Sequence, residues 1–110
     1  MPLTFAEAVN IFGEIAANAD RQVLGGLLQH AVRYARSRTD YRLAAPSEQQ
    51  LMGADRTRLH NRLLDAVDEL SADMHRRGAS TEWRSRLGDD RKQIGDFACY
   101  LHAIIGINAR

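Results

Sequence analysis

Cysteine, proline and strand-forming patterns are scarce in this chain. Their scarcity restricts the possible disulfides, the expected location and the fold class. The 110 residues include one cysteine, Cys99, so no disulfide can form within the chain, and a cytoplasmic location is expected. Proline occurs only at Pro2 and Pro46. Runs of alternating β-branched and aromatic residues between tight turns are also absent. Together these absences favour an all-α protein.

Neither one sign of charge nor a long apolar run dominates the sequence. Fifteen basic residues stand against 14 acidic ones, and the net charge of +1 argues against a dedicated nucleic-acid binder. The longest apolar segment, 97–107, is shorter than the ~20 residues that cross a bilayer, so no membrane partner is expected. The first residues lack the basic leader and apolar core of a secretion signal. Of the 15 basic residues, only Lys92 is a lysine and the others are arginines. We attribute this bias first to high-GC coding. The chain is typical of a small bacterial protein.

Apolar residues recur with helical spacing through most of the chain. Short connections between such segments are typical of antiparallel neighbours. The sequence therefore predicts a single domain over 1–110, a small antiparallel bundle of about four main helices with one or two short ones. The long helices are predicted over 4–18, 20–38, 55–77 and 89–109, the short ones over 47–52 and 80–87, and a loop over 41–46.

Several residues mark the ends of these helices. Thr4 and Glu7 fit a capping box at the first helix, and Ser47 begins a second one. Asp20 either caps a separate second helix or lies at a kink between two fused helices. Gly53 is expected to break or bend the chain between the short helix and the third long one. Gly78 and Gly88 are expected just beyond the ends of the two helices that precede them.

The last helix has two apolar sides and is expected at the centre of the bundle or across a subunit interface. Large residues at Ile94, Phe97 and Leu101 share one side of a helix that turns about 100° per residue. A monomer of four helices cannot cover both sides, and an uncovered apolar surface marks an interface. The sequence therefore predicts a homodimer. The predicted interface is the side with small residues, namely Gly95, Cys99, Ala103 and Gly106, with His102 at its border.

Three acids on the third helix form a candidate metal site. Asp65, Glu69 and Asp73 repeat every four residues, and carboxylates on one helix face can hold Mg²⁺ or Mn²⁺. This clustering resembles that of all-α nucleoside triphosphate pyrophosphatases. Those enzymes pair Glu-x-x-Glu arrangements from two helices, whereas the first helix here offers only Glu7 and Glu14, seven residues apart. Ion pairs on a solvated helix face explain the same pattern.

A basic cluster with an aromatic residue at Trp83 forms a candidate anion or nucleic-acid patch. Arginine beside an aromatic ring suits phosphate contacts and base stacking. The helix that would enter a DNA groove is, however, the most apolar one in the chain, so nucleic-acid binding is the weaker interpretation. The cluster consists of Arg76, Arg77, Arg84, Arg86, Arg91 and Lys92.

Asp96 is unusual because it interrupts the apolar last helix. A buried carboxylate without a partner is costly, so an ion pair with an arginine of another helix is expected, for example Arg33, Arg36 or Arg62. Alternatively, Gly95 ends one helix and Asp96 caps the next. The four histidines are scattered singly and show no metal-binding spacing.

The favoured hypothesis is a non-enzymatic protein-interaction or regulatory module that acts as a homodimer, with no cofactor. Two alternatives remain open. One is a metal-dependent, pyrophosphatase-like hydrolase that uses the acids of the third helix. The other is a weak nucleic-acid binder that uses the basic cluster of 76–92.

Overall fold

The computed structural model describes residues 2–108 and contains five helices and no strand in that range. Four are long and one is short, which confirms the predicted all-α bundle. Within the same residues, no helix is both long and apolar enough to span a membrane. The helices are α1 (Phe5–Asn18), α2 (Arg21–Leu43), α3 (Pro46–Arg76), α4 (Glu82–Leu87) and α5 (Arg91–Asn108).

The first two helices are separate, and each has a side-chain cap. The Thr4 hydroxyl accepts a hydrogen bond from the Glu7 amide at 3.1 Å, as the capping box predicts. The Asp20 carboxylate accepts from the amides of Gln22 and Val23 at 3.0 and 3.1 Å. Asp20 therefore begins a new helix, and the fused alternative is wrong.

The turn between α2 and α3 is shorter than predicted. α2 continues to Leu43, and only two alanines separate it from α3. The Gln49 side-chain amide donates to the Tyr41 carbonyl at 2.8 Å, which satisfies a carbonyl near the end of α2. The predicted loop over 41–46 is wrong, because no helix-breaking residue precedes the proline.

α3 is one continuous helix of 31 residues. Pro46 occupies its first position, where the fixed φ suits a helix and the missing N–H would have no partner. Ser47 consequently lies inside the helix, and its predicted capping box does not form. Gly53 also lies inside, so the predicted separate helix over 47–52 is wrong. A glycine costs only about 1 kcal/mol in a helix, which packing along the rest of α3 offsets.

Both α3 and α4 end at a glycine with a positive φ, as predicted. Gly78 has φ +79°, and the amides of Gly78 and Ala79 donate to the carbonyls of His75 and Met74 at 3.0 and 2.9 Å. This pair of bonds is a Schellman motif. Gly88 has φ +75°. A residue with a Cβ is strained in this region, so glycine is required at both helix ends.

The start of α5 differs slightly from the prediction. The Asp90 carboxylate accepts from the Gln93 amide at 3.1 Å, so Asp90 rather than Asp89 caps the helix. α4 likewise begins at Glu82, two residues after the predicted Ser80. Such shifts of one or two residues reflect a choice among neighbouring polar residues that can all act as caps.

α2 lies between α3 and α5 and runs antiparallel to both. Asp20 at the start of α2 pairs with Arg77 at the end of α3, with 3.4 Å between the charged atoms. Tyr34 of α2 lies against Gly95 near the start of α5, while earlier residues of α2 share a groove with Ile105 near its end. The bundle is therefore antiparallel around α2, as the short connections predict.

The core confirms that the large-residue side of α5 is buried. Ile94, Phe97 and Leu101 of α5 are fully buried. Trp83 and Leu87 of α4 are also fully buried, so this short helix covers part of the core. The remaining core residues share helical spacing on α1, α2 and α3 and include Ile15, Leu27, Leu63, Leu70 and Met74.

One glycine of α5 permits close packing of two helices. A Cβ added to Gly95 would lie 2.9 Å from the hydroxyl oxygen of Tyr34 and 3.1–3.2 Å from two of its ring carbons. Tyr34 is only 6% exposed, so its ring has little room to move away. The absence of a side chain at Gly95 therefore sets the distance between α2 and α5.

We expect Gly95→Ala to lower the free energy of unfolding by about 1–3 kcal/mol, the usual cost of overpacking. Gly26→Ala is the matched control, because Gly26 is also helical but an added Cβ meets nothing within 4 Å. The control should raise the free energy of unfolding by about 0.5–1 kcal/mol. Urea denaturation measures both changes, and equal effects of the two substitutions would contradict the close contact at Tyr34.

Candidate functional site

The three acids predicted as metal ligands do not form a ligand set. Asp65 and Glu69 are exposed on α3, whereas Asp73 is engaged with Arg76 at 3.4 Å and Arg77 at 3.9 Å. Within residues 2–108, no three histidine, cysteine, aspartate or glutamate side chains come close enough together to hold a metal ion. The geometry therefore gives the hydrolase hypothesis no support.

The predicted basic cluster is divided among separate ion pairs. Arg84 contacts Asp68 at 3.0 Å and a second carboxylate in the turn before α5, and Arg86 pairs with Glu14 of α1. Trp83 is fully buried and cannot stack on a base. The cluster Arg76, Arg77, Arg84, Arg86, Arg91 and Lys92 is therefore not one continuous patch, although its last two members lie together at the start of α5.

The small-residue side of α5 is divided along the length of the helix. Gly95 is buried under Tyr34 of α2, so its predicted contact with a second chain is wrong. Cys99 is half-buried, and its Sγ lies 3.6 Å from Nη1 of Arg38. The remaining residues of the predicted interface are exposed in the second half of α5, namely His102, Ala103 and Gly106.

Asp96 joins α5 to α2 through an ion pair. Its carboxylate accepts hydrogen bonds from Arg38 at 2.9 Å and Lys92 at 3.1 Å, and its side chain is 18% exposed. Burial alone raises the pKa of Asp96, but the hydrogen bonds from Lys92 and Arg38 outweigh it and hold this pKa below the ordinary 3.8. The predicted ion pair with an arginine of another helix is confirmed, but the partner is none of the three arginines named from the sequence.

A cleft of about 360 Å³ opens beside this ion pair, between α2, α3 and the first turn of α5. We call it the cationic cleft, because its charged lining consists of Arg38, Arg56, Arg91 and Lys92. Arg56 also stacks on the ring of Tyr41, with 3.9 Å from its guanidinium carbon to the ring centre. The cleft is therefore suited to an anionic ligand rather than to a cation.

Neutral residues complete the lining. Tyr34 and Thr57 supply hydroxyl groups, and Gly53 leaves the middle of one wall without a side chain. His60 is 2% exposed, its ring packs edge-on against Tyr34, and its Nε2 lies 3.1 Å from the Arg91 carbonyl oxygen. Since a carbonyl only accepts, Nε2 carries the proton in the neutral ring, and Nδ1 is left as an acceptor without a partner.

A second concave surface, which we call the apolar groove, lies between α2 and the end of α5. It encloses about 480 Å³, and Leu28, Val32 and Ile105 supply its apolar surface. Arg33 and Arg36 are exposed at its edge. The exposed second half of α5 adjoins the groove, because Ile105 lies in that segment.

Comparison with known protein families, curated proteins and solved structures finds no match to this chain. Its function is therefore inferred from the geometry of these two concave surfaces.

Sequence reasoning missed both Arg56 and His60. A signal for His60 was present, because it lies three residues before Leu63 and seven before Val67, on the buried side of α3. A polar residue in a buried register needs a partner or a function. No comparable signal marked Arg56, which looks like any exposed arginine of a charged helix face.

Burial, and then the nearby charges of Arg91 and Arg38, lower the pKa of His60 below its ordinary 6.5, although the bond to the Arg91 carbonyl opposes them. As pH falls below about 6.5, His60 is therefore protonated in the unfolded chain before it is protonated in the folded chain. The resulting stability is present above pH 6.5 and is lost as pH falls towards the folded pKa.

We expect the free energy of unfolding to fall by up to about 1.4 kcal/mol per pH unit below pH 6.5 because of this one proton. His60→Gln should be less stable above pH 6.5 but should show a shallower decline below it. His75→Gln, at an exposed position, serves as the control. Urea denaturation across this pH range measures the slopes, and an unchanged slope in His60→Gln would contradict the prediction.

Proposed function

We propose that this protein is a non-enzymatic interaction module that forms a homodimer through the apolar groove and the exposed end of α5. The apolar groove carries this proposal. Its apolar side chains, together with Ile107 at 61% exposure nearby on α5, leave a surface of the kind that marks protein interfaces. Burying apolar surface of this kind on association contributes roughly 25 cal/mol per Å² before the costs of binding.

Two glycines support a close approach of a second chain at this surface. Gly25 lines the apolar groove, and Gly106 lies beside Ile105 on α5. A Cβ at either position would meet nothing within 4 Å in the same chain, so packing within the chain does not require glycine there. Each glycine costs about 1 kcal/mol relative to alanine in a helix. Close packing of a helix from a second chain at Gly25 and Gly106 would explain why glycine rather than alanine occupies these positions.

Charge complementarity favours a second copy of this chain as the partner. Arg33 and Arg36 at the groove have no carboxylate of residues 2–108 within 4.0 Å, and Asp65 and Glu69 on α3 have no cationic partner within that distance. His30 lines a notch with these acids and directly follows the groove residue Gln29. Packing α2 of one copy on α2 of another can therefore bring arginines beside carboxylates. The net charge of +1 adds little repulsion between copies.

The proposal predicts the solution mass of a dimer for the native chain, measured by size exclusion coupled to light scattering. Ala103→Arg should give a monomer, because a long charged side chain would block the interface. Its helical content should be unchanged, since Ala103 is exposed in the single chain. Val32→Arg tests the groove itself in the same way.

Ser85→Arg is the control, because Ser85 is exposed on α4, and no residue of α4 lines the groove or the notch that contains Asp65 and Glu69. This variant should remain a dimer. A monomeric native chain, or equal dissociation of Ser85→Arg and Ala103→Arg, would overturn the proposal. Arg33→Glu should weaken the dimer, and adding Glu69→Arg should restore it if the two charges meet across the interface.

We also propose a cytoplasmic site of action. The support is the single thiol of Cys99, which lies half-buried beside Arg38 and has no second cysteine in the chain to pair with.

A further inference from the structure

We propose that the cationic cleft binds a small molecule through a diphosphate or longer oligophosphate group. The proposal rests on the side chains that line the cleft and is independent of the homodimer. Four cations from three helices converge on a concave space of about 360 Å³, the size of a small-molecule site. Arginine forks match phosphate oxygens in a bidentate geometry, which makes an oligophosphate the fitting ligand class.

Cations outnumber carboxylates in the cleft. Arg38 and Lys92 share one carboxylate, that of Asp96, whereas Arg56 and Arg91 have no carboxylate of residues 2–108 within 4.0 Å. Four cations against one carboxylate leave three positive charges. Like charges around one concave space repel one another, and solvent weakens this repulsion least at Arg38, whose side chain is only 12% exposed. An anion with three or four negative charges relieves this repulsion better than a single phosphate does.

Unpartnered polar atoms add to the cleft's capacity to bind a ligand. Nε of Arg56 is buried without a hydrogen-bond partner, and so is Nδ1 of His60, whose side chain is 98% buried. Buried polar groups normally have partners, so each such atom needs an explanation. Neither atom is accessible to solvent in the free protein, so a ligand would contact them only after the lining shifts. The hydroxyl groups of Tyr34 and Thr57 can donate to phosphate oxygens.

The cleft also lies at the N-terminus of α5, whose first two residues, Arg91 and Lys92, line it. The helix dipole favours negative charge at this end. The Asp90 carboxylate already caps this helix end from outside the cleft, so the four cationic side chains remain the main determinants of an anionic ligand.

The surroundings of the cleft favour a small molecule over a nucleic acid. A nucleic-acid backbone needs a continuous track of cations. On α4, however, Arg84 is neutralised by Asp68 and Asp89, and Trp83 is buried. No continuous track of free cations therefore runs from the cleft across α4.

Isothermal titration calorimetry of the full chain at low ionic strength tests the proposal, with pyrophosphate, inorganic phosphate, citrate and a nucleoside diphosphate as probes. We expect one pyrophosphate per chain, bound more tightly than inorganic phosphate or citrate. A nucleoside diphosphate that binds as tightly as pyrophosphate would identify the phosphate group alone as the recognised part. Tighter binding of the nucleotide would show that its nucleoside also contacts the protein.

Arg56→Gln and Arg91→Gln should each weaken pyrophosphate binding about tenfold, the effect of losing one charge-assisted contact. Neither arginine belongs to an ion pair within residues 2–108, so both variants should keep the fold. Arg21→Gln removes one exposed charge from the start of α2 and should change the affinity less than about twofold.

Gly53→Leu tests the space without removing a charge. A Cβ at Gly53 meets nothing within 4 Å, so the fold should tolerate leucine while the side chain obstructs the cleft. Binding should be abolished, with helical content by circular dichroism unchanged. Unaltered pyrophosphate affinity in Gly53→Leu or in both arginine variants would overturn the proposal. An equal loss in Arg21→Gln, or binding of a single-stranded oligonucleotide without binding of pyrophosphate, would also overturn it.

Discussion

The close contact between α2 and α5 at Gly95 is the constraint on which the rest of the structure depends. Because Gly95 has no side chain, the Tyr34 ring lies directly against α5. The same ring packs edge-on against His60 of α3, with 5.5 Å between the two ring centres, so a third helix meets the other two at this point. One turn further along α2, Arg38 pairs with Asp96 of α5 at 2.9 Å. These contacts fix the packing of three helices, and the cationic cleft is the space left beside them.

Local features of the fold could be predicted from the sequence, because they depend on neighbouring residues. The caps at Thr4 and Asp20 and the glycines at the ends of α3 and α4 follow from short-range geometry. The burial of the large-residue side of α5 follows from the helical spacing of Ile94, Phe97 and Leu101. The error at Gly53 is equally physical, since an intrinsic cost of about 1 kcal/mol cannot stop a long helix whose second half packs in the core.

The two concave surfaces could not be predicted in the same way, because their residues come from different helices. Nothing local distinguishes Arg38 from Arg33 or Arg36 as the partner of Asp96. The choice depends on the angle at which α2 crosses α5, which the packing of Tyr34 on Gly95 determines. The same crossing explains why Gly95 is covered within the chain while Ala103, two turns later on α5, is exposed. The spacing of small residues on α5 therefore identifies one side of the helix, but it does not show whether the same chain or a second chain packs on that side.

The near-neutral net charge conceals an uneven distribution. Around α4 and the end of α3, arginines are neutralised by carboxylates, with Asp73 shared between two of them and Arg84 engaged with two acids. Arg56 and Arg91 lack such partners and lie in one cleft with a buried, neutral histidine. The net charge does not describe how the surface interacts with ligands. Charge–charge interactions are stronger in a partly desolvated cleft than on the open surface, where solvent weakens them. The unbalanced cations of this cleft, rather than the total charge, therefore decide what kind of ligand the molecule can hold.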